Sequence, residues 1–368
     1  MKTHEIQPST QIDLAELDRP ALEAALRERG HEPFRAKQLF AWIYRRGVTD
    51  IDAMTDLSRE LRATLASDFR LTTPEIVNRE HSSDGTEKFL LCLADDRQIE
   101  SVFIPDTPSM TFCVSTQVGC AMACAFCLTG KMGLVRNLTA GEIVGQVRVL
   151  AHAVDLRDRA FNIVLMGMGE PLHNYDATMK ALRMLADEYG FALPPRRVTL
   201  STVGLLPALE RLAREPIMPN LAISLHAPTD ALRGELVPLN KKYGIADVIN
   251  ACKRFPVRKR SRITFEYVLL AGVNDRPDDA RRLAKLLNGV KSKVNLIPLN
   301  AAPGIPFERP SDSAVDGFAK ILAERGVTVS VRKSRGRDIR AACGQLIVEG
   351  QRKSPAQQLA AALESSHS

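Results

Sequence analysis

Cysteine is sparse in this chain and long apolar runs are missing. Seven cysteines in 368 residues, odd in number and unevenly spaced, exclude the disulfide scaffold of a small secreted protein and fit a reducing compartment. No stretch approaches the roughly 20 apolar residues of a membrane span. No apolar run follows the charges of the N-terminal segment either, so a signal peptide is not expected. These absences predict a cytoplasmic protein. Aromatic residues are few, 5% with a single Trp, yet 45% of the chain is hydrophobic. That suffices for one large domain with an appendage. Basic residues exceed acidic ones, giving a net charge of +7, which favours a polyanionic partner through counterion release.

Three helices are expected first. Leu14, Leu17, Leu22 and Leu26 recur at helical spacing and Gly30 ends the run. Residues 34–46 repeat the pattern through Phe40, Trp42 and Ile43, and residues 56–69 give the third helix. Residues 1–74 thus read as a helical module carrying Arg35, Lys37, Arg45, Arg46 and Arg62. Over 75–105 the pattern changes to short extended runs around the turn signal Ser82–Ser83–Asp84–Gly85, which predicts a small antiparallel sheet linking two domains.

From 106 to 346, β-rich runs alternate with helices. The strands expected are 111–115, 161–167, 197–202, 220–225, 263–270, 294–299 and 327–331. Thr139 and Glu142 form a capping box that starts the first helix. Strict alternation implies a parallel sheet with crossover helices, an α/β fold of about six units in a barrel or partial barrel. Such folds place function in the loops after the C-terminal ends of strands. Residues 347–368 read as a polar, Ala-rich tail.

Cys120, Cys124 and Cys127 follow the first of these strands, in the pattern C-x3-C-x2-C with Phe126 before the last. Thiolates suit zinc and iron–sulfur clusters. A closed zinc site needs four ligands, whereas this loop offers three, which would leave one iron of a four-iron cluster open to a small chelating molecule. A zinc site that recruits Cys113 or a distant fourth ligand is the alternative. At the end of the next strand, Gly167, Gly169 and Glu170 could admit a ligand close to the backbone and accept from an ammonium group. Ser201, Ser224, Leu225, His226 and Asn300 sit at three further strand ends, where a barrel aims side chains at its mouth. Ordinary turn chemistry accounts for the same residues.

The cysteine motif resembles that of the radical S-adenosylmethionine superfamily. The likeness is closer still at FRAKQLFAWIY (34–44), VSTQVGC (114–120), GMGEPL (167–172) and DIRAACGQL (338–346), which resemble the RlmN branch of the RlmN/Cfr methyltransferases. The resemblance spans residues 14 to 346 and implies a partial (β/α)6-type radical SAM barrel behind a helical RNA-binding domain. It implies a [4Fe–4S] cluster on Cys120, Cys124 and Cys127, and S-adenosylmethionine, two molecules per turnover, at Gly169, Glu170, Ser201, Ser224, Leu225, His226 and Asn300. It makes Cys343 the methyl carrier, Cys113 the thiol that resolves the covalent intermediate through a transient disulfide, and Glu100 a proton acceptor. The substrates it implies are 23S ribosomal RNA and transfer RNA, methylated at adenine C2. An electron donor such as flavodoxin and a monomeric state belong to the same expectation. Without the resemblance, Cys113 reads as a buried strand thiol and Cys343 as a loop thiol. Glu100 then reads as a surface carboxylate beside Asp95, Asp96 and Arg97.

The related Cfr enzymes methylate C8 and share both cysteines, so they form a rival reading. A zinc-stabilised RNA-binding protein is the rival from another class. Two basic stretches, 253–262 and 332–340, are candidate phosphate contacts, and the second leads directly into Cys343.

Overall fold

The computed structural model describes residues 11–105, 109–156 and 159–348. All but the first two residues of the expected C-terminal tail lie outside them. The N-terminal module holds strand β1 (Ile12–Asp13), helices α1 (Arg19–Glu28), α2 (Arg35–Phe40) and α3 (Arg59–Asp68), and strand β2 (Phe69–Arg70). Three helices form where the periodicity predicts them, with shifted starts. Asp18 caps α1, accepting from the backbone of Ala21 at 3.2 Å, and Pro20 occupies its first turn. Leu14 therefore falls in a separate single turn and Leu17 ends it. Ser58 caps α3, so that helix begins at Arg59.

The linking strands are β3 (Glu75–His81), β4 (Glu87–Cys92) and β5 (Gln98–Ile104). They pair antiparallel in sequence order, and β5 then pairs with β6 (Thr111–Cys113). The linking sheet therefore continues into the barrel sheet. Next come β7 (Gln117–Gly119), α4 (Leu128–Met132), β8 (Leu134–Asn137) and α5 (Ala140–Ala153). The alternating part follows: β9 (Asn162–Leu165), α6 (Tyr175–Ala186), β10 (Val198–Thr202), α7 (Leu206–Leu212) and β11 (Asn220–Ser224). It ends with α8 (Asp230–Leu236), α9 (Ile245–Arg254), β12 (Ile263–Leu269), α10 (Pro277–Leu286), β13 (Ser292–Pro298), α11 (Asp312–Glu324) and β14 (Val329–Val331).

The main sheet runs β14-β13-β12-β11-β10-β9-β6-β5-β4-β3. Within this sheet every pair from β6 to β14 is parallel; β6 lies beside β9, and from β9 on each strand lies beside the next in sequence. Helices on the crossovers produce this order, as the alternation predicts. All these strands therefore end at one rim.

Period-two alternation decides which side chains meet the helices. In β12, Ile263, Phe265, Tyr267 and Leu269 enter the main core, while Glu266 and Val268 face an inner pocket. In β13, Val294 and Leu296 enter the core and Ile297 the pocket. Each fully buried Leu or Phe is worth roughly 1.5–3 kcal/mol relative to exposure, so a one-residue slip in any strand would be costly. The predicted capping box forms. The Thr139 Oγ1 accepts from the Glu142 N–H at 3.1 Å, and a Glu142 carboxylate oxygen accepts from the Thr139 N–H at 2.9 Å.

Sequence reading did not find β7 and β8, an antiparallel pair that flanks the cysteine loop. Gly119 ends β7 at φ 76°, and a Cβ there would lie 1.9 Å from the Gly133 carbonyl oxygen. Only glycine satisfies both constraints. Gly119→Ala is expected to destabilise the fold by roughly 3 kcal/mol and to speed amide exchange across residues 117–137. A wild-type urea midpoint with wild-type exchange would show that the loop tolerates the change.

Candidate active site

The cysteine loop lies between β7 and α4, at the rim where the parallel strands end. Cys120, Cys124 and Cys127 line one pocket, with Phe126 sealing it against a second apolar cluster that includes Val203, Leu236 and Val268. Burial pushes the Cys120 thiol up to about 12, and it raises Cys124 and Cys127 as well. The charge of Cys127 raises Cys120 and Cys124 further, and that of Cys343 raises Cys127. Three adjacent buried thiols become thiolates only when a cationic partner compensates them, which is what metal loading supplies. Among the described residues no three His, Cys, Asp or Glu side chains converge on a single ion position. Three thiols in one loop fit a multi-iron cluster, whose thiolates bind different irons. Cys113, the fourth donor considered for zinc, lies on β6, and the other thiol it feels is Cys343.

Residues 166–170 follow β9 into the same pocket. Gly169 has φ 102°, and a Cβ there would come within 2.6 Å of the Gln117 side chain. Glu170 is buried, and its two carboxylate oxygens accept from the N–H groups of Leu172 at 3.0 Å and Val203 at 2.9 Å. Burial pushes this carboxyl up to about 7. Ser201 and Ser224 stand side by side, their hydroxyls 3.3 Å apart, and both line the pocket with Asn300. Asn300 is buried, and its side-chain oxygen has no hydrogen-bond partner. An acceptor in that state is poised for a ligand.

His226 lines the pocket with a positive φ of 60°. Its Nδ1 accepts from the Val268 N–H at 3.1 Å, which leaves the proton on Nε2. Burial, with Arg233 nearby, pushes it down to about 3, so it is neutral. Leu225 differs from its neighbours. Its side chain is in the main core, so only its backbone is available, and its N–H already donates to Glu266 O.

Cys343 is half-buried, lines the pocket and shares it with the cluster thiols. Cys113 is buried, and its thiol is pushed up to about 12 by burial and then by Cys343. Arg332 lines the same pocket, and Cys343, Glu266 and Cys113 all act on its charge. All seven cysteines are free thiols. Cys92 and Cys252 stand outside the pocket.

Glu100 is not a surface carboxylate, as its Asp- and Arg-rich surroundings in sequence suggest. It is 5% exposed, and it binds Lys88 at 3.1 Å and the Ile347 N–H at 2.8 Å. Burial raises its pKa against the opposing effect of Lys88. It does not line the pocket.

Of the two basic stretches, 332–340 leads from the pocket rim towards Cys343. The other, 253–262, precedes β12 and so lies at the opposite end of the strands. Arg258 there donates to Asn220, the first residue of β11, at 2.9 Å. Glu266 and Arg233 escaped sequence reading. Glu266 had a signal, a carboxylate inside an apolar strand. Arg233 had none.

Residues 12–71 match the model of the ribosomal RNA large subunit methyltransferase N-terminal domain, and residues 114–286 match that of the radical SAM superfamily. A dual-specificity RNA methyltransferase RlmN from Anaeromyxobacter dehalogenans is 47% identical over 357 residues, 95% of this chain and 96% of that protein. The chain belongs to the RlmN family of radical SAM RNA methyltransferases. The RlmN of Geobacter sulfurreducens is 49% identical over 337 residues, covering 92% of each chain. The crystal structure of a radical SAM methyltransferase from Sphaerobacter thermophilus superposes with a TM-score of 0.87 at 49% identity, covering 91% of this chain and 99% of that one. The chain is accordingly an RNA methyltransferase built on a radical SAM barrel. Among the described residues no helix is long and apolar enough to cross a membrane.

Arg233 is the group on which this RlmN site depends structurally. It is fully buried and donates to Val203 O at 2.7 Å, Leu225 O and Ser224 O at 3.1 Å, and Asn240 at 3.0 Å. Arg233→Met would strand three carbonyls in the interior, at a cost of roughly 3 kcal/mol or more. Its urea midpoint should fall accordingly. An unchanged midpoint would mean that other donors reach those carbonyls.

Proposed function

We propose that this chain methylates C2 of an adenine in 23S ribosomal RNA and of the adenine beside the anticodon in transfer RNA. Cys343 carries the methyl group and Cys113 releases the product. The observation that carries the reading is that Cys343 lines the same pocket as Cys120, Cys124 and Cys127, with Cys113 among its electrostatic neighbours.

Cys120, Cys124 and Cys127 would hold a [4Fe–4S] cluster. Gly169, Glu170, Ser201, Ser224, His226 and Asn300, with the backbone of Leu225, would hold S-adenosylmethionine. When bound, the cluster supplies the electron that breaks the sulfonium C–S bond. The chain's own groups do the rest. Glu170 offers a buried carboxylate to the ammonium group, and Asn300 offers its vacant oxygen. The Cys343 sulfur takes the methyl group by displacement at the methyl carbon of one S-adenosylmethionine, which leaves as S-adenosylhomocysteine, and Arg332 lines the same pocket. C2 of adenine is not nucleophilic, so the methyl carbon would reach it as a radical, one of its hydrogen atoms having passed to the 5′-carbon freed from a second S-adenosylmethionine, and the new C–C bond links RNA to Cys343. The C2 proton then has two candidate acceptors, Glu100 and the Cys113 thiolate. The adduct would give up its unpaired electron to the oxidised cluster; attack of Cys113 on the sulfur of Cys343 then breaks the S–C bond, the freed carbon takes a proton to give the methyladenine, and a thiol reductant reopens the disulfide left behind.

RNA would approach over residues 332–340 and the N-terminal module. On that module Phe34 is 52% exposed, and the Arg35 guanidinium stacks on it at 4.6 Å, a pair suited to an unstacked base. Lys37 and Arg46 rest on Tyr189 and Trp42, which leaves their charge for phosphates. The target adenine must leave its stack to reach the pocket.

Mass spectrometry of the tryptic peptide spanning residues 341–352 tests the carrier. In protein holding an intact cluster, Cys343 is expected to be methylated in the wild type and joined to RNA in Cys113→Ala. An unmodified peptide in both would remove the carrier role. Mapping the methyl group to C2 separates this reading from a C8 enzyme.

Glu170 makes a pH prediction. Its carboxyl is pushed up to about 7 by burial, and an ammonium ligand favours the ionised form. Affinity of the cluster-loaded enzyme for S-adenosylmethionine should therefore fall as pH drops below 7, by up to roughly tenfold per unit, and level off above. Glu170→Gln should bind weakly at every pH. A flat wild-type profile in calorimetry would take Glu170 away from the ammonium group.

A further inference from the structure

We infer that Glu100 is a positioning residue for Cys343, anchoring the segment that carries the thiol to the linking strands. The inference rests on the carrier role proposed for Cys343 and gives Glu100 a task before any RNA is engaged.

Glu100 sits on β5, and both of its oxygens are committed. One pairs with Lys88 of β4 at 3.1 Å, and the other accepts from the Ile347 N–H at 2.8 Å, four residues beyond Cys343. Lys88 is buried too, and its second partner is Glu80 of β3 at 3.0 Å. The upstream end of the same segment hangs from the same strands. The Ser82 hydroxyl and the Ser83 N–H donate to the Asp338 carboxylate at 2.5 and 3.0 Å. The Gly336 N–H donates to Asp84 at 3.0 Å.

Between these two moorings the segment touches the cysteine loop. The Leu128 N–H donates to Gly344 O at 2.8 Å and the Thr129 hydroxyl to Leu346 O at 2.6 Å. The path from 336 to 347 is thus a strap, tied at both ends to β3–β5 and laid across the start of α4. Cys343 stands on it.

Position matters because one sulfur must meet two partners, the methyl donor and Cys113. A displacement of about 1 Å costs on the order of 100-fold in such reactions. Removing the Glu100 carboxylate leaves the Ile347 N–H without its acceptor and Lys88 with a partly exposed partner alone. The downstream mooring then opens while the upstream one stays.

A proton acceptor for C2 acts only after RNA is attached to Cys343, so measurements without RNA are blind to that role and sensitive to an anchor. The experiment uses cluster-loaded full-length enzyme, with Glu100→Ala and Glu100→Gln, and no RNA. It follows single-turnover methylation of Cys343 from labelled S-adenosylmethionine, affinity for that molecule, and amide exchange at Ile347. For Glu100→Ala we expect methylation at least tenfold slower at saturating donor, unchanged donor affinity and faster exchange at Ile347. Glu100→Gln keeps an oxygen for the Ile347 N–H, so it should recover to within about threefold of wild type. A general loss of structure would lower donor affinity as well, and the Gln variant keeps the test open should the Ala variant fail to fold. Wild-type methylation and exchange in both variants, with RNA-linked enzyme accumulating once RNA is added, would overturn the inference and make Glu100 the proton acceptor. If Cys343 is never methylated in the wild type, the carrier reading fails. In that case unchanged exchange at Ile347 in both variants would still overturn the anchor.

Discussion

The mouth of the barrel is organised by a buried guanidinium whose hydrogen bonds go to neutral groups. Arg233 donates to the carbonyls of Val203, Ser224 and Leu225 and to the Asn240 side chain. Those carbonyls belong to the turns after β10 and β11, where Ser224, Leu225 and His226 follow one another. Val203 is held from both sides, because its N–H donates to Glu170 at 2.9 Å while its oxygen accepts from Arg233 at 2.7 Å. The Glu170 carboxylate is thus fixed by the same residue that the guanidinium fixes. Burial pushes Arg233 down to about 10, which still leaves it charged at neutral pH. Carbonyl dipoles aimed at it offset the desolvation that an unpaired buried charge would incur.

From this centre the site extends to two loops that the sequence separates widely. The cysteine loop is pinned by the Gly119–Gly133 contact on one side and by the Ala125 N–H, which donates to Leu236 O at 3.0 Å, on the other. The Cys343 strap reaches it through Leu128 and Thr129. The linking strands therefore do more than connect the helical module to the barrel. They extend its sheet by three strands and hold both ends of the strap, which joins the sheet edge to the segment that carries Cys343.

Much of this was legible because its determinants are local. Cysteine spacing, the Thr139–Glu142 box and strand–helix alternation each depend on residues within one turn or one strand, and the barrel strands lie within two residues of their expected bounds. What escaped depends on contacts across the chain. Arg233 looks like any helical surface arginine until the carbonyls of β10 and β11 surround it. Glu100 follows a run of charged turn residues that reads as exposed. Its burial comes from the place of β5 between β4 and β6 and from Ile347, 247 positions away. The stretch 253–262 has the charge density of an RNA contact, yet charge does not say which end of a strand it precedes, and here it is the end away from the pocket.

The two thiols proposed to act in turn occupy unequal surroundings, and the inequality orders the cycle. Cys343 is half-buried and open to the pocket, whereas Cys113 is enclosed on β6, with its thiol held up to about 12 by burial and by the charge of Cys343. Arg332 serves both, since each of them acts on its charge. Before methylation that cation is shared between the two sulfurs, and Cys113 stays protonated. Methylation turns Cys343 into a neutral thioether. One cause of the raised pKa at Cys113 then disappears, and the guanidinium is left to the second thiol. In the proposed cycle, transfer of the methyl group to one cysteine is therefore also what readies the other to release it.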